Sequence, residues 1–426
     1  MAGILDVTSE LYEGTLDCVH CGLCLSDCPT YLDTGRETSS PRGRIYLMRG
    51  VAEGQIELGP GVADELHLCL GCRACESVCP SGVRYGALLE RAREQLVDAG
   101  LRKGQGPRLE RLLLRSLLAR PARLHAFISA IGIVRALRLD RLARRLLPAA
   151  LANAQALLPP IPPSPLRAPL PSWTPAVGER RGRVALLEGC VMRELYGAVG
   201  RATIAVLTRN GFEVVVPEGQ ACCGALHAHA GDLSFARSLA ERNVVAFTEQ
   251  GGAPYDAVVT HSAGCGAAMK ESGGWLPGRS DGLAALTRDI CEWLDESGLV
   301  AEPGRLELRV CYDDPCHLVH AQGIADAPRR LLSAIPGLEL VPHAGASDCC
   351  GAAGTWSLGH PEMSARILDA KLDAIEAASP AVLTSGNPGC LMQLRAGVEA
   401  RGLAIRVAHP IELLAEAYGM AVPGQR

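Results

Sequence analysis

Aromatic residues are scarce in this chain. Phe, Trp and Tyr together make up 4% of its 426 residues, so any core must be built mainly of Ala, Leu and Val. No run of about 18 uncharged apolar residues occurs, which argues against a single helix crossing a bilayer. The opening stretch MAGILDVTSELYEG has no basic start followed by an apolar segment, so no secretory signal is expected. Excess charge is also missing. Forty-two Lys and Arg face 46 Asp and Glu, a net charge of −4, which speaks against a globally basic nucleic-acid binder. No G-x-G-x-x-G follows a strand-like stretch, so a dinucleotide fingerprint is not evident. No Ser–His–Asp or paired-carboxylate constellation stands out either. What the chain has in excess is cysteine, 18 in all. In a reducing cytoplasm, clustered cysteines more often bind metal than form disulfides.

The cysteines fall into sets. Cys18, Cys21, Cys24 and Cys28 follow the spacing C-x2-C-x2-C-x3-C-P, and so do Cys69, Cys72, Cys75 and Cys79. This is the bacterial ferredoxin run, whose fourth cysteine serves the other cluster. A tight loop wraps one cubane with three thiolates, and Pro29 or Pro80 then turns the chain away without an N–H to satisfy. The spacing predicts two [4Fe–4S] clusters. Cys18, Cys21, Cys24 and Cys79 hold the first; Cys69, Cys72, Cys75 and Cys28 hold the second. Zinc would want paired C-x2-C knuckles instead. Between the runs lie Arg42, Arg44 and Arg49. They are placed either to screen cluster charge and raise a potential or to serve as surface arginines.

Eight more cysteines form an internal repeat of about 126 residues. Cys190, Cys222, Cys223 and Cys265 recur as Cys316, Cys349, Cys350 and Cys390. Short apolar stretches precede them (RVALLEG, FEVVVPEGQ, DAVVTHSAG; RVCYDD, LELVPHAGASD, AVLTSGNPG), and helical stretches follow at 231–250, 282–297, 321–335 and 361–378. Strand alternating with helix predicts parallel βαβ units, with ligand sites beyond the carboxyl ends of the strands. Each repeat should therefore gather four thiols at one edge, as a third and a fourth site. An iron–sulfur cluster, a structural zinc and an ordinary turn with buried, metal-free thiols all remain compatible with four thiols. Gly224 and Gly351 are expected to let backbone approach a cofactor. His227, His261, His317 and His320 beside these motifs are expected to be hydrogen-bonding neighbours rather than ligands. Cys291 and Cys311, at no ligand spacing, are expected to be buried small apolar residues.

Residues 101–150 carry Lys103 and eleven arginines against Glu110 and Asp140. Leucines and arginines recur there at helical spacing, divided by Pro121 and Pro148. The proline-rich PPIPPSPLRAPLPSWTP follows as a spacer of polyproline character. Such helices suit an anionic membrane interface with the arginines outward, or packing on a partner subunit or on the N-terminal domain. Few aromatics interleave with the charges, so nucleic acid is not expected as a partner.

The expected organisation is multi-domain. A small α-helical bis-[4Fe–4S] ferredoxin-type domain spans 1–100 and a basic helical connector with a Pro-rich linker spans 101–180. Two repeated α/β parallel-sheet cysteine-rich domains span 181–300 and 301–426.

The order of these parts resembles the iron–sulfur subunit of bacterial glycolate oxidase over essentially the whole chain. The stretches that carry the likeness are CVHCGLCLSDCPTY, SPRGRIYLM, CRACESVCPSGVRYGALLE, LLEGC, CCGALHAH, SAGCGAAMKESG, CHLVHAQ, CCGAAGTWSL and NPGC. Similar parts occur in the third subunit of anaerobic glycerol-3-phosphate dehydrogenase, in lactate-utilisation proteins and in a heterodisulfide reductase subunit. The resemblance implies an electron-transfer subunit, cytoplasmic or peripheral on the inner face of the membrane. It would be paired with flavin-containing subunits that oxidise glycolate and pass electrons towards quinone or another acceptor. The alternative is the equivalent subunit for lactate, glycerol-3-phosphate or a disulfide-type substrate. In some relatives the CCG repeats hold a noncubane [4Fe–4S] cluster on five cysteines. Here Ser262 and Asn387 stand where the additional cysteine would be, leaving four thiols per repeat.

Overall fold

The computed structural model describes residues 10–101, 105–138, 155–249 and 254–420. Residues 1–9, read above for a signal, and the stretch 139–154, with Pro148 and part of the arginine run, lie outside them.

The N-terminal domain is helical. Helices Pro41–Ala52, Pro60–Leu68 and Tyr85–Asp98 each bury one face, and Met48, Leu66, Leu89 and Leu96 meet in its core. Pro41 and Pro60 sit at helix starts, where a missing N–H costs nothing.

The two repeats each form a parallel sheet. The strands are β1 (Trp173–Thr174), β2 (Gly182–Leu186), β3 (Phe212–Val215), β4 (Ala257–Thr260) and β5 (Thr287–Asp289), then β6 (Leu308–Tyr312), β7 (Leu338–Leu340), β8 (Val382–Thr384) and β9 (Arg406–Ala408). The first sheet runs β1-β3-β2-β4-β5 and the second β7-β6-β8-β9. Among the described strands only β1 is antiparallel to its neighbour. Otherwise β3-β2-β4-β5 and β7-β6-β8-β9 are the same arrangement written twice, with β6 starting 126 residues after β2. The strands read as apolar runs because both faces are covered: all four residues of β4 are buried.

The repeats pack reciprocally. Helix Gly197–Arg209 of the first lies on Pro410–Ala417 of the second, and its counterpart Asp326–Ser333 lies on Ile290–Ser297. The junction is thus self-complementary, like the interface of a two-fold dimer. One core runs through it, from Val184 and Leu207 to Leu383 and Leu414. Tyr418 ties it, accepting from Asn210 Nδ2 at 3.1 Å and donating to the Ala301 carbonyl at 3.0 Å. Cys291 and Cys311 are buried, as expected, at 3% and 0% exposure.

Three local expectations need correction. Stretch 282–297 is not one helix: Thr287–Asp289 extends as β5, and Asp289 caps the next helix by accepting from Cys291 N at 2.8 Å. Stretch 321–335 is helical only over Asp326–Ser333. The Pro-rich spacer contains a short helix, Ser164–Arg167.

The connector forms helix Gln105–Leu113, a widened turn Leu114–Leu118 and helix Pro121–Ala136. Leu124 and Ile128 are buried against the first repeat with Met192 and Leu195. The connector is therefore seated on that repeat, a surface not among the three expected from its sequence. Its other face leaves Leu109, Leu112, Leu113, Phe127 and Ile133 exposed. Among the described residues no single helix is long and apolar enough to cross a membrane. The two connector segments pass that test jointly but meet at 103°.

Candidate iron–sulfur centres

The two ferredoxin loops share a backbone. His20 and Gly22 flank Cys21 with φ of 55° and 88°; Gly71 and Arg73 flank Cys72 with φ of 69° and 67°. Left-handed residues on both sides of the middle cysteine curl each loop around a centre, and a non-glycine residue there is held at a cost. Cys18, Cys21, Cys24, Cys75 and Cys79 line one hollow together, with Arg42. Cys28 lies close enough to Cys72 and Cys75 of the second loop, and to Cys24 of the first, for their charges to affect one another. The two loops and their fourth cysteines thus lie side by side.

The surroundings suit a group built of sulfur and iron. Backbone amides point at the thiols, Gly71 N to Cys69 Sγ at 3.4 Å and Val83 N to Cys79 Sγ at 3.5 Å. Arg44 is fully buried and donates to the Glu65 carbonyl at 2.7 Å and to Thr30 Oγ1 at 3.1 Å. Its Nη1 is buried with no partner, while Cys28 and Cys69 lie within reach of its charge. A buried cationic donor left over beside two thiols calls for an anionic group there. Burial would raise the Cys69 thiol, but Arg44 and Arg93 outweigh it and hold it below the ordinary thiol range. Arg42 is half-exposed and bonds Glu37 and the His20 carbonyl at the first loop.

In each repeat the four cysteines lie just past strand ends, as expected. Cys190 and Cys316 open helices Cys190–Leu195 and Cys316–Val319. Cys265 and Cys390 lie in the first turns of Ala263–Trp275 and Pro388–Ala400. Gly224 and Gly351 adopt φ of 89° and 84°. A Cβ on Gly351 would stand 2.8 Å from the Ser364 carbonyl, so this glycine admits a packed helix rather than a cofactor.

Spacing did not disclose that the two quartets face each other. All eight thiols line one cavity of about 140 Å³ between the repeats, with Ser262, Asn387, His229 and His317. Cys190 and Cys222 stand 3.6 Å apart. Their mutual hydrogen bond holds Cys222 below the usual thiol value and, with burial, pushes Cys190 above it. Buried thiols crowded this way are stabilised as thiolates by metal, which supplies the missing positive charge. Among the described residues no group of three or more His, Cys, Asp or Glu is disposed around a single metal ion. The thiols surround open space instead.

The histidines divide. His320 is a hydrogen-bonding neighbour, as expected, reaching Ser77 Oγ at 2.8 Å and the Ser347 carbonyl at 2.9 Å. His227 makes no hydrogen bond at either ring nitrogen, its Nδ1 standing 4.0 Å from Asp232, and His261 Nδ1 makes none. His317 stacks on His229 with centroids 5.2 Å apart, and His229 faces Glu90 at 3.2 Å. His229 went unnoticed in the sequence, where nothing but its place in ALHAH marks it.

The second ferredoxin loop is docked on the second repeat. Leu70, Cys72, Ala74 and Cys349 form one buried cluster with Cys316 and Trp356 against it. Trp356 donates to the Leu68 carbonyl at 3.0 Å. Arg93 donates to the Cys69 and His229 carbonyls at 2.6 and 2.9 Å, and Arg73 pairs with Glu76 and with Glu271 of the first repeat.

Comparison with known proteins agrees with these parts. The family described as 4Fe-4S dicluster domain matches residues 14–83, and the family described as Cysteine-rich domain matches 184–270 and 310–395. The chain is 38% identical over 424 residues to the probable glycolate oxidase iron-sulfur subunit of Bacillus subtilis, covering 95% of this chain and 94% of that one. It is 33% identical over 408 residues to the glycolate oxidase iron-sulfur subunit of Escherichia coli, covering 94% and 93%. It is 28% identical over 425 residues to one of the subunits of the fumarate reductase (CoM/CoB) of Methanothermobacter marburgensis, covering 98% and 76%.

Proposed function

The chain belongs to the family of glycolate oxidase iron–sulfur subunits, and from that premise we propose that it is the electron-transfer subunit of a flavin-dependent glycolate dehydrogenase complex. The flavin and the glycolate site lie in partner subunits, and the final acceptor is a quinone or a comparable oxidant. Cys18, Cys21, Cys24 and Cys79 hold the first [4Fe–4S] cluster; Cys69, Cys72, Cys75 and Cys28 hold the second. The quartets Cys190, Cys222, Cys223, Cys265 and Cys316, Cys349, Cys350, Cys390 hold further iron–sulfur groups. Bound, such clusters accept and release electrons one at a time.

One observation carries this reading: Cys72 and Cys349 belong to one buried cluster. It makes the thiol sets a continuous series. The series begins at Cys21, which is exposed, passes the buried second loop and enters the cavity of the repeats. Arg44 neutralises the second loop, Arg93 and Trp356 hold it against the repeats, and the buried core excludes water between stations. The exposed leucines of the connector, with Arg108, Arg111 and Arg123 on the same helices, suit peripheral contact with an anionic membrane face.

The test is made on the complex purified without oxygen. Iron is counted per chain, and low-temperature EPR is recorded after glycolate addition. More than eight irons per chain and glycolate-reduced signals are expected. Cys72→Ser should stop electrons reaching quinone while a dye still reacts at the flavin. Quinone reduction that survives this change refutes the relay.

A further inference from the structure

The thiol-lined cavity has a neighbour. Between the connector and the first repeat an open groove of about 320 Å³ reaches inwards until it meets Cys190 and Cys222. Those two cysteines line the cavity as well, so they form a wall common to both spaces. The groove is more than twice as large as the cavity and within the range of small-molecule sites.

Its lining differs in chemistry by origin. The connector supplies the apolar Leu118, Ala119, Pro121 and Leu124, joined by Leu170. The first repeat supplies the polar Glu188, Arg193, Gln220 and Arg242, joined by Ser172. The polar part is built rather than loose. Glu188 accepts from Leu170 N at 2.9 Å, Arg193 reaches Glu188 at 3.5 Å and Glu194 at 3.2 Å, and Gln220 accepts from Glu188 N at 2.8 Å. Arg242 donates to the Gly219 carbonyl at 3.5 Å. The apolar part is the elbow of the same helices that expose Leu112, Leu113 and Phe127 outwards.

We propose that this groove is the exit for electrons, a binding site for a quinone-class acceptor. The proposal rests on the electron-transfer reading and gives it a terminus. A planar ring with two carbonyl oxygens and an apolar tail matches the divided lining. The ring lies towards the Cys190–Cys222 wall, Arg193 and Arg242 face the carbonyl oxygens, and the tail follows Leu118–Leu124 towards the exposed connector face. A protein acceptor would need a convex or flat contact, and a nucleotide would leave the apolar part without a partner. The reaction balances without another reagent. Each quinone takes two electrons through the wall and two protons from water in the open groove. The two C=O bonds become C–O single bonds, two O–H bonds form and the ring becomes aromatic.

The test uses the whole complex with a short-tailed azidoquinone, photolysed and mapped by mass spectrometry. Label is expected on peptides covering 165–173, 188–193 or 216–221. Ser172 is exposed and uses only its carbonyl, accepting from Val216 N at 2.9 Å, so Ser172→Trp should fill the groove mouth without disturbing the fold. It should lower labelling and raise KM for a short-tailed quinone by about tenfold, which is about 1.4 kcal/mol, at the wild-type iron content. Arg242→Ala in the polar part gives an independent reading in the same direction. Label confined to other surfaces, or unchanged labelling and KM in both variants, overturns the groove alone. If glycolate does not bleach the iron–sulfur absorption of the wild-type complex, the electron-transfer reading falls and the groove with it.

Discussion

Ser262 Oγ donates to Asn387 Oδ1 at 3.4 Å, although the two residues stand 125 positions apart in different repeats. Asn387 also accepts from Gly264 N at 3.1 Å, and its Nδ2 reaches Cys390 Sγ at 3.7 Å. Alongside, Ala263 N donates to the Gly386 carbonyl at 3.0 Å. At the two positions where five-cysteine relatives place a further thiol, this chain joins its repeats and orients a neighbouring cysteine.

Replacing Asn387 therefore tests the junction. Asn387→Ala removes acceptors from Ser262 and Gly264 inside a cavity wall, and the expected cost is about 1–3 kcal/mol. It is read as a lower denaturation midpoint at unchanged iron content in the ferredoxin-type domain. A midpoint equal to that of the wild type would show that the hydrogen bond carries no weight.

Arg44 and Arg42 should behave differently. Arg44→Met removes a buried charge with bonds to Glu65 and Thr30, costing about 2–4 kcal/mol. It should also lower the reduction potential of the second cluster, because a nearby positive charge favours the reduced, more negative form. Arg42→Met, at a half-exposed site paired with Glu37, should change both far less. EPR-monitored redox titration of the two variants separates them; equal shifts would contradict the assignment.

His409 makes a pH prediction. Burial pushes its imidazole down to about 3, with His261 acting the same way, against an ordinary value of about 6.5. Between those values the unfolded chain binds a proton that the folded chain does not. Stability from this group is present above pH 6.5 and is lost as pH falls towards 3. Asp289 and Asp313, raised to about 7 by burial, run the opposite way, so the effect is read as a difference between variants. His409→Asn keeps an acceptor for Ile411 N. From pH 6.5 to 4.5 it should lose less stability than the wild type, by up to about 2–3 kcal/mol. Parallel pH–stability curves would refute this.

The connector should separate into two faces. Leu124→Ala, in the buried face, is expected to cost about 2–4 kcal/mol through lost packing and a cavity. A Leu112→Ser, Phe127→Ser pair on the exposed face should shift stability by no more than about 0.5 kcal/mol per site. The same pair should reduce sedimentation with anionic vesicles, and undiminished sedimentation would remove the membrane role of this face.

Local spacing was a good guide wherever the structure is local. The ferredoxin runs could be read because three thiols in seven residues constrain one loop, and Pro29 and Pro80 mark its exit. The parallel sheets could be read because β4 and β8 are short apolar runs set between helices. Boundaries were less readable: nothing in 282–297 announces that Thr287–Asp289 joins a sheet edge, since pairing with β4 outweighs the helical preference of its neighbours. His229 escaped notice because its neighbours at the site, Glu90 and His317, are distant in sequence.

By itself the order of amino acids determined that eight thiols recur at ferredoxin spacing, that the cysteine-rich unit occurs twice, and that strands lead to each of its thiols. Those features depend on residues a few positions apart and on periodicity along one element. Tertiary packing alone decided that the two quartets share a cavity, that Cys72 and Cys349 are buried in one cluster, and that the connector lies on the first repeat with a groove beneath its elbow. Each of these depends on apolar faces of separate elements finding one another, and the burial of those faces is non-directional, so no spacing along the chain specifies which surfaces will meet.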